Sequence, residues 1–436
     1  MNEKSGIDSL PVEIILDVLS DLTIEDLNGV CKQNKRLRDI CKEHKLTFIK
    51  NFLKKYQVDY QDPHNFIYFD EKLNDFVPQT NDLQKVFDLY LVHYNKSSIE
   101  VKGKNISSIP IFPKLKKLYC EDNQLTRLPV MPLLEILRCS KNKLTEIPIM
   151  SKLIVLVCDF NQLIQIPIMS KIRVLGCQNN QIVQIPTMPV LESLYCYNNQ
   201  LNQIEVMSNL KELSCDNNNL TTIEPMPNLE RLRIQNNNLT LIQEMPELKE
   251  LSCDNNNLTT IESMPNLKKL SCQDNNLTSI PEMPELKKLD CAGNQLTTIP
   301  IMLNLKKLSC QHNQLTQIPE MPNLIMIACG FNQINKISTM PKLKELWCNN
   351  NRLTQISAMP ELNYLMCFQN QLNDIPVMPL LEKLNCTNNQ LTRIRVMPQL
   401  ETLKCDPDVE IPPMPKLVSI NEESEDEETE DESDED

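Results

Sequence analysis

Two rhythms of apolar and polar residues divide the chain. The longer one repeats every nineteen residues. Around Cys215, Leu210 and Leu213 lie five and two positions before the cysteine, while Leu220, Ile223 and Met226 lie five, eight and eleven positions after it. The same spacing runs from Cys120 to Cys405, and an asparagine stands three positions after each slot from Asn123 to Asn389. The unit reads LxxLxCxxNxLTxIPxMPx. A constant period of this length predicts a solenoid in which each turn buries its apolar side against its neighbours. Side chains alternate along a strand, so the pattern predicts a short strand from two residues before the slot to one after it. The leucine and cysteine then face inward and their neighbours outward. Nineteen residues leave no room for a helix on the return, and "TxIPxMPx" predicts an extended or polyproline-like path with turns, since proline fixes φ and removes a donor.

The shorter rhythm belongs to a helix. In residues 9–50, Pro11 suits a first helical position and Ile14, Ile15, Val18, Leu19 and Leu22 line one face. Thr23 and Asp26 open a second helix carrying Leu27, Val30 and Cys31, and Leu37, Ile40 and Cys41 predict a third. Further on, Leu83, Val86, Phe87, Tyr90, Leu91 and Tyr94 form one more helical stripe, placed to pack on the first turn of the solenoid. Degenerate repeats flank the array. Ile99, Val101, Ile106 and Ile109 open it, with Lys104 in the asparagine slot and Phe112 in the methionine slot. At the other end Asp408 replaces the asparagine, and Leu417 and Ile420 are the last apolar beats. The predicted organisation is a helical domain over 1–50, a helical connector over 51–97, the solenoid over 98–420 and an acidic tail over 421–436.

These patterns carry two resemblances. The LxxLxCxxNxL core resembles the leucine-rich-repeat family, in the short class found in bacterial secreted effectors. It implies a curved array with a parallel β-sheet on its concave side and extended or turn-rich segments on its convex side. The helical segment, through Leu10, Pro11, Glu13, Ile14, Ile15, Val18, Leu19, Leu22, Asp26, Leu27, Val30, Cys31 and Lys32, resembles an F-box. That resemblance implies docking on a Skp-family adaptor of a cullin–RING ubiquitin ligase, with Leu10, Pro11, Ile14, Ile15, Leu19, Leu22 and Val30 as the adaptor-binding residues. The tryptophan common near the end of that box is replaced here by "LTFIK", which offers Phe48. Together the two imply a substrate-recognition subunit of an SCF-type ligase; a repeat scaffold or effector that binds or sequesters a host protein is the alternative.

Composition then narrows the chemistry. The formal charge is −14, but the last sixteen residues hold twelve acids and no base, so the remainder is nearly balanced at about −2. Nucleic acid is not an expected partner, and no apolar run predicts a membrane span or an export signal. The tail reads as disordered, and Ser424, Thr429 and Ser433, each followed by acids, resemble acceptors of acidophilic kinases.

Of sixteen slots, fifteen hold cysteine and one holds Ile234. An aliphatic can therefore stand in for the thiol, and the slot asks for a compact apolar group. Metal binding would need CxxC partners or clustered histidines, and neither occurs. In-register turns aim adjacent Cβ atoms the same way, which disfavours disulfides, and a cytoplasmic, reducing compartment (a host's included) fits the regular thiols. With six glycines, no phosphate-cradling loop and no Ser/His/Asp constellation, an enzyme is not expected, nor is a cofactor.

The expected working surface is the outward side of the strands. Two of its stretches are apolar: Ile136, Val155, Val157, Val174, Tyr195 and Tyr197, and then Met326, Phe331, Trp347, Tyr364, Met366 and Phe368. Aromatic and methionine clusters of this kind anchor protein partners. Between them run Lys249, Lys268, Lys269, Lys287, Lys288, Lys306 and Lys307, either a solvated face or a seat for the acidic tail.

Overall fold

The computed structural model describes Val12, Ile14, Ile15, residues 35–57 and residues 94–421. The chain forms two compact units, Met1–Gln200 and Leu201–Asp436.

The first unit begins with helices. Helix α1 (Lys35–Glu43) places Leu37, Ile40 and Cys41 on one face, and α2 (Lys45–Lys55) buries Phe48, Ile49, Phe52 and Leu53. Leu37, Ile40 and Phe48 close on Ile15, with Val12 and Cys41 packed alongside, so Phe48 does fill an apolar core. The boundary expected at residue 50 falls inside α2. Cys41 is also disulfide-bonded, so the reduced state expected of the cysteines holds for the fifteen of the repeats and not for this one. Of the connector helix, only Tyr94 is among the described residues. Its hydroxyl lies 3.3 Å from that of Tyr56, and Phe52, Tyr56 and Tyr94 form an aromatic cluster. The Ile111 amide donates to the Tyr56 carbonyl at 2.8 Å, which ties α2 to the first repeat.

The repeats of this unit contribute three-residue strands from Ser98–Glu100 to Ser193–Tyr195, and those of the second unit run from Glu212–Ser214 to Thr402–Lys404, ending with Ser419–Ile420. Within each unit neighbouring strands pair in parallel with no slip in register, as Ile136 opposite Val155 and Lys269 opposite Lys288 illustrate. An equal repeat length leaves each side chain beside its counterpart one turn away. The inward leucines, cysteines and methionines, together with Ile234, are almost wholly buried.

The strands end earlier than expected, one residue before the cysteine. The reason is a corner. Two residues after each slot from Cys120 to Cys386 the backbone turns left-handed: Asn217 has φ 53°, Asn255 53°, Phe331 55° and Gly293 64°. Asn, Asp and Gly visit that region most cheaply, which explains Asn217 and Asn255 at this position. The next residue is the ladder asparagine. Asn256 accepts the Leu239 amide at 3.0 Å and donates to the carbonyls of Ile234 and Cys253, both at 3.0 Å. Only an amide has both an acceptor and paired donors, so it links its own turn to the one before.

The return is extended, with a turn closed where the Leu134 amide donates to the Met131 carbonyl at 3.2 Å. Short pairings also form there, Leu241–Ile242 with Thr260–Ile261 and Gln317–Ile318 with Lys336–Ile337. In the first, the Glu262 amide donates to the Ile242 carbonyl at 3.0 Å, from a position where other turns carry Pro129, Pro148 or Pro300. At the carboxy-terminal end Ile420 pairs in register with Leu403 yet remains 45% exposed, so the last apolar beat is left uncovered. Asn421 completes the final corner by accepting the Cys405 amide at 2.9 Å.

Candidate functional site

The outward strand residues of the second unit enclose two adjoining grooves. The larger, about 860 Å³, is lined among others by Arg231, Arg233, Lys269, Lys288, Lys307 and Met326 and closes on Trp347. The smaller, about 450 Å³, starts at Trp347 and continues past Tyr364, Met366, Lys383 and Lys404. Trp347 is their shared wall. It stands opposite Ala328 on one side and Met366 on the other, with the Tyr364 ring centroid 6.1 Å away. The small Ala328 leaves the indole room over the preceding turn.

Four of the expected anchors thus meet here: Met326, Trp347, Tyr364 and Met366. Phe331 and Phe368 do not line either groove. Phe331 occupies the left-handed corner, is 47% exposed and stacks on His312 at 4.4 Å. Phe368 is half-buried one residue past Cys367, beyond the end of its strand. The corner that shortens each strand takes both off the sheet face. Arg231, Arg233, Asn363 and Lys404 were missed. Aligning the chain in nineteen-residue columns would have found them, because the columns flanking each inward leucine are the groove.

A polar network floors the first groove. The Gln235 side-chain amide donates to Asp254 at 2.6 Å, and the Gln273 side-chain amide donates to Asp290 at 2.7 Å. The Ser271 hydroxyl and Gln273 backbone amide both donate to Asp254, at 2.7 and 2.8 Å. Burial pushes the Asp216 carboxyl up, while the Gln235 amide and Ser214 hydroxyl pull it the other way. Two buried polar atoms have no hydrogen-bond partner among the described residues here, the indole Nε1 of Trp347 and Oδ1 of Asn363.

Charged side chains on several neighbouring turns alternate in sign. Lys116 meets Glu135 at 3.2 Å, Lys249 meets Glu230 at 2.7 Å, and Arg231 meets Glu212 at 3.4 Å. The lysine strip breaks that alternation. Lys269, Lys288 and Lys307 are directly opposite one another, and Lys268, Lys287 and Lys306 follow suit one residue earlier. Lys269 still reaches Glu250, at 3.4 Å.

In the first unit the matching face is aliphatic. Ile136, Val155 and Val174 are in register, and Val157, Gly176 and Tyr195 form the next column. All of these except the buried Gly176 are half-buried, as is Tyr197. Of the adaptor-binding residues, Ile14 is 48% exposed and Ile15 only 2%, because Ile15 is taken up by the core of its own domain. Leu10, Pro11, Leu19, Leu22 and Val30 lie outside the described residues, as do 422–436 of the tail with Ser424, Thr429 and Ser433.

The cysteines are scaffold. The Cys253 thiol donates to the Ser271 carbonyl at 3.3 Å and the Cys272 thiol to the Asp290 carbonyl at 3.4 Å. Burial pushes the Cys329 and Cys367 thiols up to about 12, and the buried repeat thiols around them are raised for the same reason. Such thiols are neither nucleophiles nor metal ligands at neutral pH. Among the described residues no group of histidines, cysteines and carboxylates could hold a metal, and no helix is long and apolar enough to cross a membrane.

Residues 265–301 match the family model for leucine-rich repeats in two copies. No curated protein matches the chain. Among solved structures, YopM from Yersinia enterocolitica WA-314 is 20% identical with a TM-score of 0.57, over 83% of this chain and 99% of that one. YopM from Yersinia pestis, a leucine-rich effector protein, is 22% identical with a TM-score of 0.58, over 81% and 100%. The functional domain of InlJ from Listeria monocytogenes, which includes a cysteine ladder, is 23% identical with a TM-score of 0.54, over 71% and 72%. The fold is the leucine-rich-repeat solenoid.

Proposed function

We propose, taking the leucine-rich-repeat solenoid as the premise, that this protein is a protein-binding receptor whose target lies on the strand face around Trp347. The observation that carries this reading is the convergence of Met326, Trp347, Tyr364 and Met366 from neighbouring turns onto two adjoining grooves. Aromatic and methionine side chains gathered in concave pockets are the usual energetic centres of protein interfaces. No catalytic family is matched, and the chemistry of the face is that of recognition.

The receptor acts as the substrate-recognition subunit of an SCF-type ubiquitin ligase, with the amino-terminal helices holding a Skp-family adaptor and through it the cullin. Support comes from a helical core built on Ile15, Leu37, Ile40 and Phe48 that leaves Ile14 facing out. Ile14, with Leu10, is the contact to test; Ile15→Ala would only loosen the core. Adaptor pull-down with the wild type and with Leu10→Ala/Ile14→Ala is the experiment. Adaptor retained by the wild type and lost by the variant is the expected result. No adaptor with the wild type would leave the scaffold or effector that binds or sequesters a host protein without a ligase.

A further inference from the structure

We infer that the grooves of the second unit take an extended acidic peptide segment bearing one large apolar side chain: carboxylates on the lysine columns, the apolar group against Trp347. This rests on the protein-binding reading and names the partner's chemistry. Directly opposed like charges on a sheet are unfavourable, and several other turns instead pair lysine or arginine with glutamate. Lysine stands directly opposite lysine on the turns carrying Lys269, Lys288 and Lys307, which line the larger groove. The carboxylates nearby are engaged or marginal. Asp254 and Asp290 accept bonds from the floor network, Glu250 lies at one end beside Lys269, and Glu345 and Glu382 beyond the other end border the smaller groove. Lys287, Lys306 and Lys307 form no ion pair among the described residues. An acidic partner would supply the alternate charges that these turns lack.

The second half of the site is read from unsatisfied atoms. The Trp347 Nε1 and Asn363 Oδ1 atoms offer a donor and an acceptor that nothing among the described residues meets. A buried polar group left so is rare and calls for an explanation. A peptide backbone carries both complementary groups, and a small shift of the indole as a side chain seats beside it would expose Nε1 to a carbonyl. Spacing follows from the fold. Trp347 stands two turns beyond Lys307, about 10 Å at the separation of neighbouring strands. An extended peptide gains about 3.3 Å per residue, so about three residues separate the apolar side chain from the nearest carboxylate.

The chain's own tail fits only one half. Residues 421–436 hold twelve acids and no apolar residue, so they match the lysines and have nothing for Trp347. From the turn of Ser419 back to that of Lys307 is about 29 Å at strand spacing, and about fifteen extended residues span some 50 Å. The tail is therefore a competitor within reach, and Ser424, Thr429 and Ser433 are sites where phosphate would strengthen it.

The test is fluorescence anisotropy of the full-length protein with a synthetic peptide of about four glutamates, about two serines and a phenylalanine, the spacing drawn above. It is run beside a lysine analogue, a peptide lacking phenylalanine and a single-stranded oligonucleotide, with and without residues 421–436. Expected is binding of the glutamate peptide that weakens with salt, falls at least about tenfold in Lys288→Glu/Lys307→Glu and about thirtyfold in Trp347→Ala. The peptide without phenylalanine should keep the lysine dependence and lose the tryptophan dependence. Thiol protection in each variant certifies its fold. No binding with or without the tail, equal binding of the lysine analogue, tighter binding of the oligonucleotide, or indifference to the charge reversal would each overturn the inference. Loss with Trp347→Ala alone would overturn the acidic half and still leave a protein site at Trp347, while adaptor capture through Ile14 is decided separately.

Discussion

Each unit repeats the same kind of core, and the two carry different strand faces. In the first unit the strand columns read Ile136, Val155, Val174 and Val157, Gly176, Tyr195; in the second the matching columns hold Lys269, Lys288, Lys307 and then Trp347 and Met366. Beneath both faces the same leucines, cysteines and asparagines recur with nearly the same burial. Period-two alternation separates the tasks. Inward positions fix the fold, and outward positions can vary from valine to lysine to tryptophan without touching it. Specificity in such an array is written on one side of three-residue strands.

The shared core is the place to break that comparison hardest. Buried thiols of both units, Cys120 and Cys329 among them, are raised above their ordinary value of 9.0, Cys329 to about 12. A group raised in the folded state stabilises it fully below 9.0 and loses that contribution as pH climbs toward 12. Unfolding monitored by circular dichroism should therefore become easier across that window in both units, by up to about 1.4 kcal/mol per pH unit for each thiol exposed. Below it, thiol reagents should leave the fifteen repeat cysteines untouched until denaturant is added. Ready labelling at neutral pH would contradict the architecture of both units.

Next in size comes the ladder. Asn256→Ala strands the Leu239 amide and the Ile234 and Cys253 carbonyls, and should cost at least about 3 kcal/mol. Asn142→Ala should cost a similar amount in the first unit, since it bonds the Leu125 amide and the Cys120 and Cys139 carbonyls in the same way. Denaturant melts that differ greatly between the two would deny the shared core. Smaller, and confined to the face, is Trp347→Ala, expected to weaken target capture by about 2 kcal/mol with no change in the melt. Tyr195→Ala, made in the aliphatic face, asks whether that surface joins in; capture unchanged by both substitutions would remove the strand face as the site. Smallest is Cys291→Val, expected to cost less than about 1.5 kcal/mol because Ile234 already fills an equivalent slot. A larger loss would mean that the thiol bond to the Ser309 carbonyl, 3.5 Å long, matters more than volume.

Much of this was legible in the sequence. Ile234 in a cysteine slot identified the thiols as packing groups, and the unbroken run of asparagines identified a ladder before any hydrogen bond was measured. Met326, Trp347, Tyr364 and Met366 could be placed on the face by counting in twos. Phe331 and Phe368 were misplaced because counting in twos assumes the strand continues, and a left-handed residue ends it. Ile15 was misassigned as a contact because helical spacing says that Ile14 and Ile15 lie near one apolar face, not which of them the neighbouring Leu37 and Phe48 will cover.

Sequence by itself determined the register, since repeats of equal length stacked with their apolar side hidden have only one alignment that buries every leucine. It determined too that sulfur here is bulk, not chemistry. Tertiary structure decided where each strand stops, which side chains share a groove, and which polar atoms are left without partners. Those depend on the backbone corner two residues past the slot and on a groove whose lining runs from Arg231 to Trp347. A periodic pattern specifies what is common to every turn; the differences between turns acquire meaning only when the stack sets them side by side.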